Sequence, residues 1–383
     1  MPKTANVAVA AAATVHKGRG AVSNRDGRFE RLSHQAEDDG WDLPDDDLPP
    51  LRTTILPDAA RKVIARNTSP DIPFDRSLNP YRGCEHGCVY CFARPSHAYL
   101  GLSPGLDFET KLFAKHDAAA LLRAELSAKS YRCAPLQLGA NTDPYQPIER
   151  RLKITRQILE VLADCDHPVS ITTKSDLVLR DLDILGPMAA KGLASVAVSV
   201  TTLDRTLARR LEPRAPTPAK RIAAIEGLSR AGVPVTVLAA PVIPALNDME
   251  LEAIVVAAAQ AGARGAGYIL LRLPGEVADI FGEWLDTHYP DRAARVLNRL
   301  RASRDGELYR SQWENARPAR GPRRDYCRPG SRPRCGAPEW RWRVRASFPW
   351  IARSSARPSR TARKCRCFNT HLCILPLPRF GGK

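Results

Sequence analysis

The chain has no apolar run approaching the ~20 residues that a membrane-spanning helix requires, so no membrane partner is expected. The nearest stretch, Val7 to Val15, is short and mostly alanine. It follows Lys3 like the start of a secretory leader, but it runs into His16-Lys17-Gly18-Arg19-Gly20 without a clear start for a mature domain. A disordered leader is the expectation. Disulfide density is lacking too. Ten cysteines in 383 residues are too sparse for a secreted disulfide scaffold, and a chain of this length can bury a core without covalent staples. Reduced thiols in a cytoplasmic protein fit better. Aromatic residues make up only 6% of the chain, and no aromatic wedge of the kind that helps extrude a base from duplex DNA is evident.

Acidic residues all but vanish after residue 313. From Glu314 to Lys383, sixteen Arg and two Lys face three acidic residues, so +15 of the formal +17 belongs to this tail and +2 to residues 1–313. The main body is therefore no phosphate-tracking surface on charge alone. The tail is crowded with Arg and Pro, carries five scattered cysteines and shows no apolar period. It reads as a disordered basic extension or as coding sequence read out of frame, since such composition cannot bury a core. Its functional readings are a nucleic-acid arm, or a zinc module using Cys365, Cys367, His371 and Cys373.

Three regions result. Residues 1–55 form an irregular arm, disordered or wrapped over the core, with the acidic run Asp42 to Pro50. Residues 56–313 form the core domain, and 314–383 the tail. In the core, β-type runs recur at Leu136–Leu138, Val169–Thr173, Ser195–Val200, Val233–Ala239 and Tyr268–Leu273. Helical patterns intervene at Asp117–Lys129, Arg151–Ala163, Asp181–Ala190, Pro218–Ala231 and Asp248–Ala261. With a first strand before Cys84 this makes six β-α units and an α/β fold built on a parallel sheet. Periodicity alone leaves open whether that sheet is doubly wound or a full or partial barrel.

What the chain does have is a concentrated thiol loop, Arg82-Gly83-Cys84-Glu85-His86-Gly87-Cys88-Val89-Tyr90-Cys91-Phe92. Three cysteines within eight residues can surround one inorganic centre. A [4Fe–4S] cluster takes one ligand per iron, so Cys84, Cys88 and Cys91 fill three sites and leave the fourth iron open. The competing reading is structural zinc, with His86 or His97 as the fourth ligand, although zinc sites usually divide their ligands into two separated pairs. Cys133 and Cys165 stand apart and are expected to be small buried hydrophobes.

Cys-x3-Cys-x2-Cys followed by an aromatic, after the first strand of a β-α repeat, resembles the signature of radical S-adenosylmethionine enzymes. The resemblance implies a partial (β/α)6 TIM-type barrel, a [4Fe–4S] cluster and S-adenosylmethionine chelated at the open iron. It further implies reductive cleavage to a 5′-deoxyadenosyl radical, hydrogen abstraction from a substrate, and an electron donor such as flavodoxin or ferredoxin. Together with Asn141-Thr142-Asp143-Pro144 and Leu211-Glu212-Pro213-Arg214, the loop is similar to the branch related to spore photoproduct lyase, over roughly residues 60–310. By that resemblance Phe92 packs near the adenine, Asn141, Thr142 and Asp143 meet the methionine amino group, and Lys174 pairs with its carboxylate. Ser199 and Thr201 face ribose or substrate, and Glu212 and Arg214 bind polar groups of the cofactor. The branch's hydrogen-donating cysteine aligns with Ala140, so repair of spore photoproduct is not implied. Nucleic acid, peptide and small molecule all stand as substrates. The non-catalytic alternative is a zinc-binding nucleic-acid module.

Overall fold

The computed structural model describes residues 15–30, 51–68, 72, 74–304, 306–309 and 373–376. The alanine-rich leader, the acidic run at 42–50 and nearly all of the basic tail, including Cys365, Cys367 and His371, lie outside the described residues. Eleven strands are described: β1 (Thr54–Pro57), β2 (Ala65–Arg66), β3 (Arg76–Leu78), β4 (Tyr81–Arg82), β5 (Lys111–Ala114), β6 (Leu136–Leu138), β7 (Val169–Thr173), β8 (Ala194–Ser199), β9 (Val235–Val242), β10 (Gly265–Leu270) and β11 (Cys373–Pro376).

Strand order settles what periodicity left open. β3, β6, β7, β8, β9 and β10 lie side by side in chain order, and every pair is parallel. A doubly wound sheet reverses its order at a switch point; this sheet never does. Right-handed crossovers taken always in one direction place every helix on the same face. The sheet then curls around its other face as a partial (β/α)6 barrel, with all strand C-termini on one rim. β2 joins β3, and β11 joins β10, each antiparallel, so both ends of the parallel set carry an extra strand. A separate three-stranded sheet, β1-β5-β4, stands beside the first barrel strand.

The local reasons are ordinary. β7 alternates, with Val169, Ile171 and Thr173 buried. The helix Ile154–Asp164 buries Ile154, Ile158, Leu159, Val161 and Leu162 along one stripe. Leu78, Leu136, Leu138, Ile171, Val198 and Val237 are fully enclosed between sheet and helices. A second apolar cluster joins Cys88, Val89 and Tyr90 to Leu271, Leu273, Phe281 and Trp284, the last two on the helix Val277–His288.

Two expectations are corrected. Cys133 and Cys165 are exposed, not buried. Cys165 caps the solvent end of the helix Ile154–Asp164, and Cys133 lies in the connection before β6. No helix among the described residues is long and apolar enough to cross a membrane.

Candidate cofactor site

The cysteine loop leaves β4 and reaches the rim where the parallel strands end. Gly83 and Gly87 adopt left-handed backbone angles, φ +75° and +68°, which let the loop turn back on itself. The loop is pinned from several sides. Cys84 N–H donates to Phe108 O (3.0 Å) and Val89 N–H to Leu211 O (3.1 Å). Gln146 accepts from Glu85 N–H (2.9 Å) and donates to Gly83 O (3.2 Å). Cys84 and Cys88 are buried, Cys91 is partly so, and none of the three is in a disulfide.

Their chemistry follows from that burial. Burial pushes the Cys84 thiol well up, and the neighbouring Asp143 carboxylate pushes it further. Burial and then Glu212 raise Cys88, against a smaller opposing effect of Lys174. Burial raises Cys91 as well. Any metal bound here would have to draw off these protons, so metal binding at the loop would release them.

Around this loop the strand ends converge. After β6, Asp143 accepts from Thr173 Oγ1 (2.7 Å) and Lys174 N–H (2.7 Å), and its Oδ2 lies 3.3 Å from His86 Nδ1. Burial alone would raise the Asp143 carboxyl, but His86 and these hydrogen bonds hold it below the usual range. Thr142 Oγ1 donates to Tyr81 O (2.8 Å), and Asn79 Oδ1 accepts from the exposed Asn141's backbone N–H (2.9 Å). After β7, Lys174 Nζ donates to Ser199 Oγ (2.7 Å) and lies 3.3 Å from Glu212 Oε1. Glu212 is enclosed by Lys174, Arg221, Tyr90 and Thr201. Burial would raise its carboxyl, and the charges of Arg221 and Lys174 drive it well down. Thus Asp143, Lys174, Ser199 and Glu212 meet in one network. Arg214 stands outside it, ion-paired with Glu85 (3.1 Å), and Phe92 is 55% exposed.

Both histidines weighed for zinc keep a buried Nδ1 without a hydrogen-bond partner. His97 Nε2 lies 2.9 Å from Lys111 O, and His86 faces Asp143. Among the described residues no group of three or more His, Cys, Asp or Glu side chains is placed to hold one metal ion.

Sequence reasoning missed the underside of the loop. Arg94, wholly buried, donates to Cys88 O (2.9 Å), Pro104 O (3.0 Å) and Gly105 O (2.8 Å) and is ion-paired with the equally buried Glu109. Glu109 also accepts from the backbone N–H of Gly20 (2.8 Å) and Ala21 (2.9 Å). The arm thus runs under the cysteine loop, and it continues to the helix Val277–His288 and its N-cap through Ser23 and Arg25 on Glu283 and Arg28 on Glu276. The clustered Gly18-Arg19-Gly20-Ala21 was the available signal: two glycines beside one arginine mark close backbone approach. A Cβ on Gly20 would stand 1.8 Å from Gly87 O. Gly20→Ala is therefore expected to destabilise the protein by about 1–3 kcal/mol, as overpacking does. It should also expose the arm to limited proteolysis; unchanged melting and digestion would show that the contact is dispensable.

A rim loop of three cysteines on a six-stranded parallel partial barrel defines the class of scaffold. Residues 78–258 match the model of the Radical SAM superfamily. That superfamily implies S-adenosylmethionine and an iron–sulfur cluster, and the buried thiols fit such a cluster. An uncharacterized protein of Mycobacterium tuberculosis is 41% identical over 226 residues, covering 58% of this chain and 66% of that protein. One of Methanocaldococcus jannaschii is 30% identical over 174 residues, 45% of this chain and 62% of the relative. The matches thus span just under two thirds of these relatives. Among solved structures, spore photoproduct lyase complexed with dinucleoside spore photoproduct aligns with TM-score 0.43 and 14% identity over 62% of this chain and 66% of that one.

Proposed function

We propose that the protein is a radical S-adenosylmethionine enzyme whose [4Fe–4S] cluster is held by Cys84, Cys88 and Cys91. The observation that carries this is one loop with three free thiols, two buried and one partly buried, beside the Asp143–Lys174–Ser199–Glu212 network. When bound, cluster and cofactor together supply reductive cleavage of the sulfonium to a 5′-deoxyadenosyl radical, which abstracts hydrogen from a substrate.

The chain's own residues supply position and electrostatics. Lys174, with 15% of its side chain exposed, offers an ammonium to the methionine carboxylate. Glu212 stays ionised and holds Lys174 at the rim. Asp143 fixes the backbone of Lys174 and so couples the ends of β6 and β7. Phe92 presents an aromatic face beside Cys91 for the adenine. Asn141, Thr142, Ser199 and Arg214 complete the polar surroundings. The setting is cytoplasmic, with a flavodoxin- or ferredoxin-type donor, and nucleic acid is one substrate class to test.

The test is anaerobic reconstitution with iron and sulfide, then reduction in the presence of S-adenosylmethionine and assay for 5′-deoxyadenosine. A brown protein that forms this product is the expected result. A colourless protein that retains zinc instead would overturn the reading.

A further inference from the structure

The sixth barrel strand ends in a feature that the cofactor reading does not use. Beyond β10 the chain continues as Leu271-Arg272-Leu273, still bound to the sheet through Leu271 N–H to Val242 O (2.9 Å). Leu271 and Leu273 are both 1% exposed and enter the apolar cluster that also holds Cys88, Val89 and Tyr90 of the cysteine loop and Phe281 and Trp284. In an extended segment the residue between two such neighbours faces the other way. Arg272 therefore turns away from that cluster.

Its Nε is buried without a hydrogen-bond partner. Nearby lies a second guanidinium. Arg304 donates to Leu271 O (2.5 Å) and Leu308 O (2.8 Å), and burial together with the charge of Arg272 lowers its pKa. Neither arginine has an ion pair with a carboxylate among the described residues, whereas the nearby Glu276 is taken by Arg28. Two neighbouring cations with a buried, unused donor are costly in the bare protein. An oxyanion placed between them would satisfy the donor and neutralise the charge, and guanidinium forks match phosphate oxygens in geometry.

We propose that Arg272 and Arg304 form an oxyanion site just beyond β10, taking a phosphate group.

The probe is inorganic phosphate, added to the full-length, cluster-bearing protein under anaerobic conditions against potassium chloride of equal ionic strength. Binding is read from the thermal midpoint and from phosphorus NMR line widths. Phosphate should raise the wild-type midpoint saturably, because a ligand that binds only the folded state stabilises it. Arg272→Gln removes no protein hydrogen bond at Nε, so it should fold, melt higher than wild type without phosphate, and bind phosphate at least about tenfold more weakly. Arg304→Gln should also weaken binding, and Arg272→Lys, which keeps the charge but loses the fork, should fall between wild type and Arg272→Gln. Equal phosphate affinity in wild type and Arg272→Gln would overturn the site, as would a wild-type response no larger than that to chloride. Should Arg272→Gln not fold, an Arg272→Lys protein with wild-type affinity would overturn it equally. These outcomes are separable from the cofactor reading, which fails on cluster content and 5′-deoxyadenosine and not on phosphate.

Discussion

Replacing Cys84, Cys88 or Cys91 singly with alanine is expected to lower 5′-deoxyadenosine formation by at least about a thousandfold, equivalent to ~4 kcal/mol of barrier. The reasoning is local. On the proposed reading each thiol serves one iron, so removing any one would leave an incompletely ligated cluster. No other cysteine among the described residues is buried beside the loop. His86 is held against Asp143, His97 faces Lys111 O, and Cys133 and Cys165 lie at the surface. Iron and sulfide content per chain, measured after reconstitution, should fall in all three variants. The Cys133→Ala and Cys165→Ala proteins serve as controls and should keep wild-type iron. A Cys88→Ala protein that retained both its iron and its product would sink the assignment. So would a Cys165→Ala protein that lost them, because the ligand set would then include a residue at a helix end far from the loop in sequence.

The legible parts of the fold were those in which side-chain pattern and backbone need coincide. β6 and β7 fall where the β-branched and apolar runs stand, at Leu136–Leu138 and Val169–Thr173. β10 does not. It begins at Gly265, three residues before the apolar run at Tyr268, because Gly265 and Ala266 are paired to Thr236 and Val237 of β9. Pairing to a neighbour already in place overrides weak strand propensity there. At the site, the cysteine spacing pointed to the loop itself because thiol chemistry constrains sequence tightly. Lys174, Ser199 and Glu212 could be named from their places after strand ends, and their mutual contacts could not, since they join two different β-α units. Arg94 and Glu109 carried no spacing signal at all. They are fifteen residues apart, and only the close packing of Gly20 on Gly87 brings the arm to them.

That hidden pair gives the second large effect. Glu109→Gln is expected to destabilise the protein by about 3–5 kcal/mol, the range for breaking one side of a buried ion pair. All three partners of the Glu109 carboxylate are donors: the Arg94 guanidinium and the backbone N–H groups of Gly20 and Ala21. A glutamine offers one acceptor oxygen and turns its own NH2 toward the rest, so at least one donor is left facing another. The Arg94 charge also loses its only ion-pair partner among the described residues, with both side chains fully enclosed. Since Arg94 also holds Cys88 O and the arm hangs from Glu109, the variant should lose iron on reconstitution and be cleaved within the arm by a trace protease. Glu226→Gln supplies the comparison, because its partner Arg230 lies one helical turn away with 76% of its side chain exposed. Exposed pairs of that kind contribute about 0–1 kcal/mol, so its melting should barely move. If Glu109→Gln melted and resisted protease as Glu226→Gln does, the arm would be a passive covering. A large fall confined to Glu109→Gln would make the arm, together with Arg94, the part of the chain that holds the cysteine loop in place.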